Sequence, residues 1–303
     1  MAASLYEHDG AFTSAIDAVF ASLGRDGDRL RSDWLAAEPI LPIDHPQRSQ
    51  PLLFAVDYAY SAVVRSWGIT PSALLGHSVG EVVAAVIAGV LPMPEAARLV
   101  WDRMANLAHA APGGMLAVAE SAEKLTPYLR DDVVVGAVNA PRQTILAGSA
   151  RPLAEIAADL EALSILCAPV ASLTPFHSPA LRSYAAFDKA IVDNIALRSP
   201  SIPIVSCYTG RILSDEQAVD PAYWASHPAA PVLFWPALST LLVAGPWTLV
   251  ETGPGNTLTR LARRHAAAAS GGSLAVNLGG TRFDRDRGAL DQARDAILAR
   301  VAA

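Results

Sequence analysis

The chain holds little cysteine, almost no lysine and no long unbroken apolar run. Its two cysteines, Cys167 and Cys207, offer neither a disulfide framework nor a CxxC metal site, and no metal is expected. The longest apolar stretches, such as VVAAVIAGVL at 82–91, fall short of the roughly 20 residues a membrane span requires. The opening MAASLYEHDG carries acid and histidine where a secretory leader would be basic and then apolar, so a cytoplasmic protein is expected. Basic residues number 23 against 29 acidic ones, and a net charge of −6 argues against broad nucleic-acid binding, which needs a basic face. Only Lys124 and Lys189 are lysines; the remaining fixed positive charge is guanidinium, suited to bidentate contact with carboxylate or phosphate. What the chain does have is apolar bulk: 303 residues, 52% hydrophobic and 17% charged, can bury a large core, which excludes a disordered tail. The length suggests one large domain, with room for a smaller insertion.

Residues 5–24 show helical apolar spacing ending in a glycine, and 50–67 repeat the pattern, with a polar, proline-containing stretch between them up to about residue 48. The apolar triplet ALL before a glycine-flanked serine reads as a strand running into a sharp turn and then a helix. From 113 to 175 the elements shorten. MLAVA reads as a strand, SAEKLTPYLR as a helix, VVVGAV and QTILAG as strands, ARPLAEIAADLEAL as a helix and ILCAPVA as a strand. That βαββαβ order is ferredoxin-like and predicts an insertion into a larger α/β domain that resumes near Pro175. IPIVSC (202–207) and TLVET (248–252) read as further strands of the main sheet.

GHSVG at 76–80 fits the G-x-S-x-G elbow, in which a strained strand-to-helix turn presents a serine at the sheet edge; Ser78 is the candidate nucleophile. Ser78 and Glu81 also spell a capping box, which would make the serine a helix cap instead. In the helix 94–110, Arg103 falls on the stripe of Ala96, Leu99, Val100 and Leu107 rather than on the polar face. A guanidinium there must find an anion or polar partners, either a ligand or a buried ion pair, or else snorkel to the helix edge. His177, in PFHS where the chain returns from the insertion, is a candidate base; a solvated surface histidine is the alternative.

GHSVGE (76–81), AGVL (88–91), Arg103, GGMLAV (113–118), AVNAP (137–141), FHSP (176–179), YW (223–224), PVLF (231–234) and ETGPGNTL (251–258) stand in the order and spacing of a known family. The chain resembles the malonyl-CoA:acyl-carrier-protein transacylases and polyketide synthase acyltransferase domains over nearly its whole length. The resemblance implies an α/β fold with an α/β-hydrolase-like large subdomain (1–112 and 176–303) and a ferredoxin-like small subdomain (113–175), the active site lying in the cleft between them. It implies Ser78 as nucleophile and His177 as base, the histidine being oriented by a backbone carbonyl at His227. Substrate contacts are implied for Arg103, as grip on a free carboxylate, and for His77, Val79, Asn139 and Phe176. Val79 would also supply one oxyanion donor from its backbone N–H, and Val79 with Phe176 resembles the pattern that selects malonyl over α-methylated units. Thr174 and Pro175 depart from the usual His-Ala before Phe-His-Ser.

The implied reaction carries a malonyl-type group from coenzyme A to the phosphopantetheine thiol of an acyl carrier protein, with no bound cofactor. A carrier acting in trans is expected, and Arg260, Arg263 and Arg264 form a candidate docking patch whose alternative is a solvated helix face. Family members open with a short strand and a Gly-Gln-Gly loop that gives the second oxyanion donor. Met1 stands past that loop, so an upstream start is expected; otherwise the main sheet lacks a strand and the second oxyanion donor comes from elsewhere or catalysis is impaired. Other readings are transfer of a larger acyl or aminoacyl group between carriers, an editing hydrolase, a generic esterase, or a carrier-binding module without activity.

Overall fold

A computed structural model describes residues 1–130, 132–270, 272–279 and 286–301. The N-terminal third is helical: α1 (Gly10–Leu23), α2 (Arg25–Leu35) and α3 (Pro46–Ser66) precede the two-residue strand β1 (Leu74–Leu75) and helices α4 (Val79–Ile87) and α5 (Met93–Leu107). Asp9 caps α1 by accepting from Phe12 N, which is why the helix starts at Gly10 rather than at residue 5. The stretch after Gly24 departs from the sequence reading, since it holds α2. Only Leu30 and Trp34 are apolar there at helical spacing, and both are buried against the first helix. Phe12, Ile16, Phe20, Tyr60, Leu99 and Trp224 anchor the largest core cluster, built mainly from α1, α3, α4 and α5.

The middle of the chain forms a four-stranded antiparallel sheet from β2 (Gly113–Val118), β3 (Val134–Ala140), β4 (Gln143–Ser149) and β5 (Cys167–Val170). Its order is β3-β4-β2-β5, with the short α6 (Ala122–Leu125) and the longer α7 (Ala150–Ala162) as crossovers. Leu153, Ile156 and Leu160 of α7 pack on Leu116, Val118 and Leu146, giving this sheet its own core. The helix expected over 121–130 is shorter than its pattern. It passes into a 3₁₀ turn at Thr126–Tyr128, where Pro127 has no N–H to continue the α-helical ladder.

The chain returns through α8 (Ala185–Val192), β6 (Ile204–Val205), α9 (Asp215–Ala218), α10 (Pro221–Ser226), α11 (Phe234–Val243), β7 (Thr248–Glu251), α12 (Thr257–Arg264), α13 (Ala266–Ser270), β8 (Leu274–Asn277) and α14 (Asp286–Val301). Strand β8, LAVN in the sequence, lies outside the strands that the sequence pattern predicts; it runs parallel to β7, with Thr248 opposite Leu274. β1 and β6 form a second parallel pair, Leu74 opposite Ile204. These two pairs are separate sheets among the described residues, and a cavity of about 790 Å3 touches both β1 and β7 as well as Asp57 of α3 and Val79 of α4. The fold is thus an α/β large subdomain carrying a ferredoxin-like sheet, as the family resemblance implies. One backbone ladder links the two: Val138 N donates to Val232 O at 2.8 Å and Val232 N to Gly136 O at 2.9 Å.

Candidate active site

The turn between β1 and α4 places Ser78 at φ 56°, ψ −121°, a conformation that side chains adopt only under strain. The motif's two glycines are not equivalent. A Cβ on Gly76 would lie 2.2 Å from Glu81 N and 2.3 Å from Gly80 C, whereas the nearest atom to a Cβ on Gly80 is 3.9 Å away. Gly76 is therefore what lets the elbow close.

Ser78 does not cap α4 with its side chain. Its Oγ lies 2.9 Å from His177 Nε2, a contact spanning 99 residues of sequence. Glu81 is not the capping partner either. It is fully buried, with Oε2 accepting from Cys207 N at 2.7 Å and Oε1 from the Tyr223 hydroxyl, and burial pushes its carboxyl up to about 7. The capping-box pattern thus holds a structural tie between α4 and the segment after β6.

His177 is buried and sits at φ 63°, in the left-handed region. Its backbone N donates to Pro228 O at 2.6 Å, which fixes the main chain at this residue. Nδ1 lies 3.0 Å from Ala230 O and 3.2 Å from His227 O. A carbonyl can only accept, so Nδ1 carries the proton and Nε2 is left as the acceptor facing Ser78. Burial, the nearby His77 and the Arg103 charge push the His177 imidazole down to about 4, so it is neutral at physiological pH. A serine hydroxyl held against a neutral, backbone-oriented imidazole is an arrangement that can activate oxygen as a nucleophile.

His77 and Asn139 meet: His77 Nε2–H donates to Asn139 Oδ1 at 2.9 Å, joining the elbow to β3 of the small sheet. Burial lowers the His77 imidazole as well. Val79 is the first residue of α4 and lines the cavity, and its N–H belongs to the helix's first turn, where donors lack intrahelical partners. Phe176 packs on Met104, Leu107 and Leu181, its ring centroid 6.3 Å from that of His177. The His227 side chain is caged by aromatics, stacked on Tyr208 at 3.8 Å and edge-on to Tyr223 and Trp224, and neither ring nitrogen has a hydrogen-bond partner.

Arg103 is buried, as its place on the apolar stripe implies. Nε donates to Asp188 Oδ2 at 2.6 Å and Nη2 to Trp224 O at 2.9 Å. Its charge acts on His177, His227 and Tyr208. Arg260, Arg263 and Arg264 are exposed on α12, but Arg263 Nε and Nη2 both bond Ala275 O at 3.1 and 2.7 Å, tying that side chain to β8. Sequence reasoning missed Ala230, Tyr208 and Asp188. The first acts through its backbone, which leaves no mark on the residue type. Asp188 carried a usable signal, since it interrupts the apolar stripe of Leu181, Tyr184, Ile191 and Val192 just as Arg103 interrupts its own. Among the described residues no cluster of His, Cys, Asp and Glu could hold a metal ion, and no helix is long and apolar enough to cross a membrane.

Both the sequence and the fold have known relatives. The acyl transferase domain family matches residues 1–300. The chain belongs to that family. It is an acyltransferase. Polyketide synthase GfsB of Streptomyces halstedii is 36% identical over 220 residues, covering 70% of this acyltransferase and 4% of the relative. Spectinabilin polyketide synthase system protein NorB of Streptomyces orinoci is 32% identical over 261 residues, with 83% and 12% covered. The chain therefore spans less than a fifth of the length of the curated relatives it matches. Among solved structures, the acyl transferase domain of SpnD in complex with 2-(pent-4-yn-1-yl)malonyl superposes with TM-score 0.88 at 29% identity, covering 97% of this chain and 71% of that one. FabD from Acinetobacter baumannii, at 22% identity, shares the fold with TM-score 0.86, covering 100% and 94%.

Proposed function

We propose that this acyltransferase takes a malonyl-type acyl group from coenzyme A onto Ser78 and passes it to the phosphopantetheine thiol of an acyl carrier protein in polyketide or fatty-acid synthesis. The observation that carries the reading is the 2.9 Å contact between Ser78 Oγ and His177 Nε2, with Nδ1 fixed on backbone carbonyls. Ser78 Oγ attacks the thioester carbonyl as its proton passes to Nε2. The C–S bond breaks, and the departing sulfur takes that proton. The incoming carrier thiol then gives its proton to Nε2, attacks the acyl-serine ester and restores the hydroxyl. The Val79 N–H stabilises the oxyanion in both halves, a role worth about 2.7–4 kcal/mol per donor in measured cases.

In this reading the reaction proceeds where 113–175 faces 1–112 and 176–303, a placement supported by the His77–Asn139 bond between elbow and small sheet. Arg103 supplies the positive charge for a substrate carboxylate. Val79 and Phe176 crowd an α-methyl branch, and His77 and Asn139 hold the elbow against the substrate. Arg260 and Arg264 offer a docking face for an acidic carrier, with Arg263 committed to the fold.

Incubation with malonyl-, methylmalonyl- or acetyl-CoA followed by intact-mass measurement tests the reading. A malonyl adduct that disappears in Ser78→Ala, and that a holo carrier protein then removes, supports it. Absence of an adduct from every donor, acyl-carrier thioesters included, sinks it. Replacing Arg103 with Gln should lower malonyl loading more than acetyl loading; equal losses remove the carboxylate-grip role.

A further inference from the structure

Arg103 is not an empty clamp. Its guanidinium already faces a carboxylate from α8, and the contact is closed: the two side chains are only 7% and 2% exposed, with Nε 2.6 Å from Asp188 Oδ2. Nη2 is committed as well, to the carbonyl of Trp224. Asp188 bonds through one oxygen only; Oδ1 is buried and has no hydrogen-bond partner. The pair is thus a single-pronged contact, with no fork-on-fork geometry to hold Asp188 in reserve. A substrate carboxylate drawn to Arg103 would meet a cation whose charge is already balanced, beside a second anion in a region of low dielectric where like charges repel strongly. An acyl group with an uncharged end meets no such penalty.

We propose that Asp188 sets the acyl selectivity of this site: by neutralising the Arg103 guanidinium it weakens the hold on a substrate carboxylate and admits acyl groups with uncharged ends on comparable terms. This rests on the reading of Arg103 as the group that faces the acyl end. Asp188 is a positioning residue, acting through the arginine and not on the reacting atoms. Its effect therefore appears in the ratio between donors, which a merely structural role would leave alone.

The test compares the rate of Ser78 acylation by malonyl-CoA and acetyl-CoA in the wild type, Asp188→Asn, Arg103→Gln and the double variant, read by intact mass. The wild type should prefer malonyl by less than about tenfold, because a full charge-assisted contact is worth roughly 10–150-fold and here it is shared. Asp188→Asn should raise the malonyl-to-acetyl ratio by about tenfold or more, mainly through a lower KM for malonyl-CoA. A wild-type preference of tenfold or greater overturns the proposal, and that measurement stands even if the variant fails to fold. An unchanged ratio in a folded Asp188→Asn, with both rates falling together, overturns it too. Failure of the underlying reading looks different: no donor acylates the wild type, or Arg103→Gln leaves the ratio untouched in the Asp188→Asn background.

Discussion

Two polar contacts, one half-buried and one buried, follow opposite rules in this protein. Ser78 and His177 form a neutral pair, each held by backbone geometry: the serine by a strained turn, the imidazole by the carbonyls of Ala230 and His227. Arg103 and Asp188 form a charged pair, held by mutual attraction with one carboxylate oxygen left unpartnered. The first pair can lose a side chain without stranding a charge, whereas the second cannot, because each charge is in the interior only while the other is there. Removing members of the first pair should therefore cost chemistry with little stability, and of the second, stability together with donor choice.

The largest expected effect is on the neutral pair. Ser78→Ala should lower acyl transfer by roughly 10³-fold or more while leaving the melting temperature near that of the wild type. A stable adduct on the alanine variant would place the nucleophile elsewhere. Gly76→Ala should nearly match it in lost activity, because the new Cβ must push into Glu81 N and open the elbow. Replacing either member of the charged pair should show in stability as well as in donor choice: Arg103→Ala or Asp188→Ala costs about 3–5 kcal/mol of stability in urea or thermal melts, and the double variant costs less than the sum. Strictly additive losses would mean the two groups do not depend on each other.

A smaller effect concerns pH. With the imidazole depressed to about 4, acylation should stay flat from pH 8 down to about 5 and fall below that; an acid limb centred near 6.5 would contradict a buried, uncharged base. Between about 4 and 6.5 the unfolded chain binds a proton at this histidine that the fold does not, so this contribution is lost as pH falls through that window. The smallest effect is expected at Gly80→Ala, where the site is open and helical: transfer activity is retained and stability rises by up to about 1 kcal/mol.

The parts of the site that could be read from the chain are those in which residue type carries the physics. GHSVG announces a tight elbow because little but glycine fits at position 76. Arg103 announces itself because a charge on an apolar stripe needs a partner. The alternation and length of the segments between 113 and 170 were enough to give strands and crossovers in ferredoxin-like order. What stayed hidden was the choice between readings compatible with one pattern. Ser78–Glu81 looked equally like a capping box, and only the contact across 99 residues shows the hydroxyl turned to His177 and Glu81 turned to Tyr223 and Cys207. Helix α2 was missed because two buried residues, Leu30 and Trp34, sufficed to dock it, too few for periodicity to stand out from its charged neighbours.

By itself, the sequence determined that a serine would stand on a forced turn, that a guanidinium would stand on an apolar stripe in need of a partner and that a small α/β insertion would sit beside a larger core, since each follows from local sterics, desolvation or side-chain period. The tertiary structure alone decided which groups meet. Asp188 reaches Arg103 across 85 residues, and the carbonyls that fix His177 come from 50 and 53 residues away. Such pairings are set by how helices and sheets pack, and no local rule along the chain encodes them.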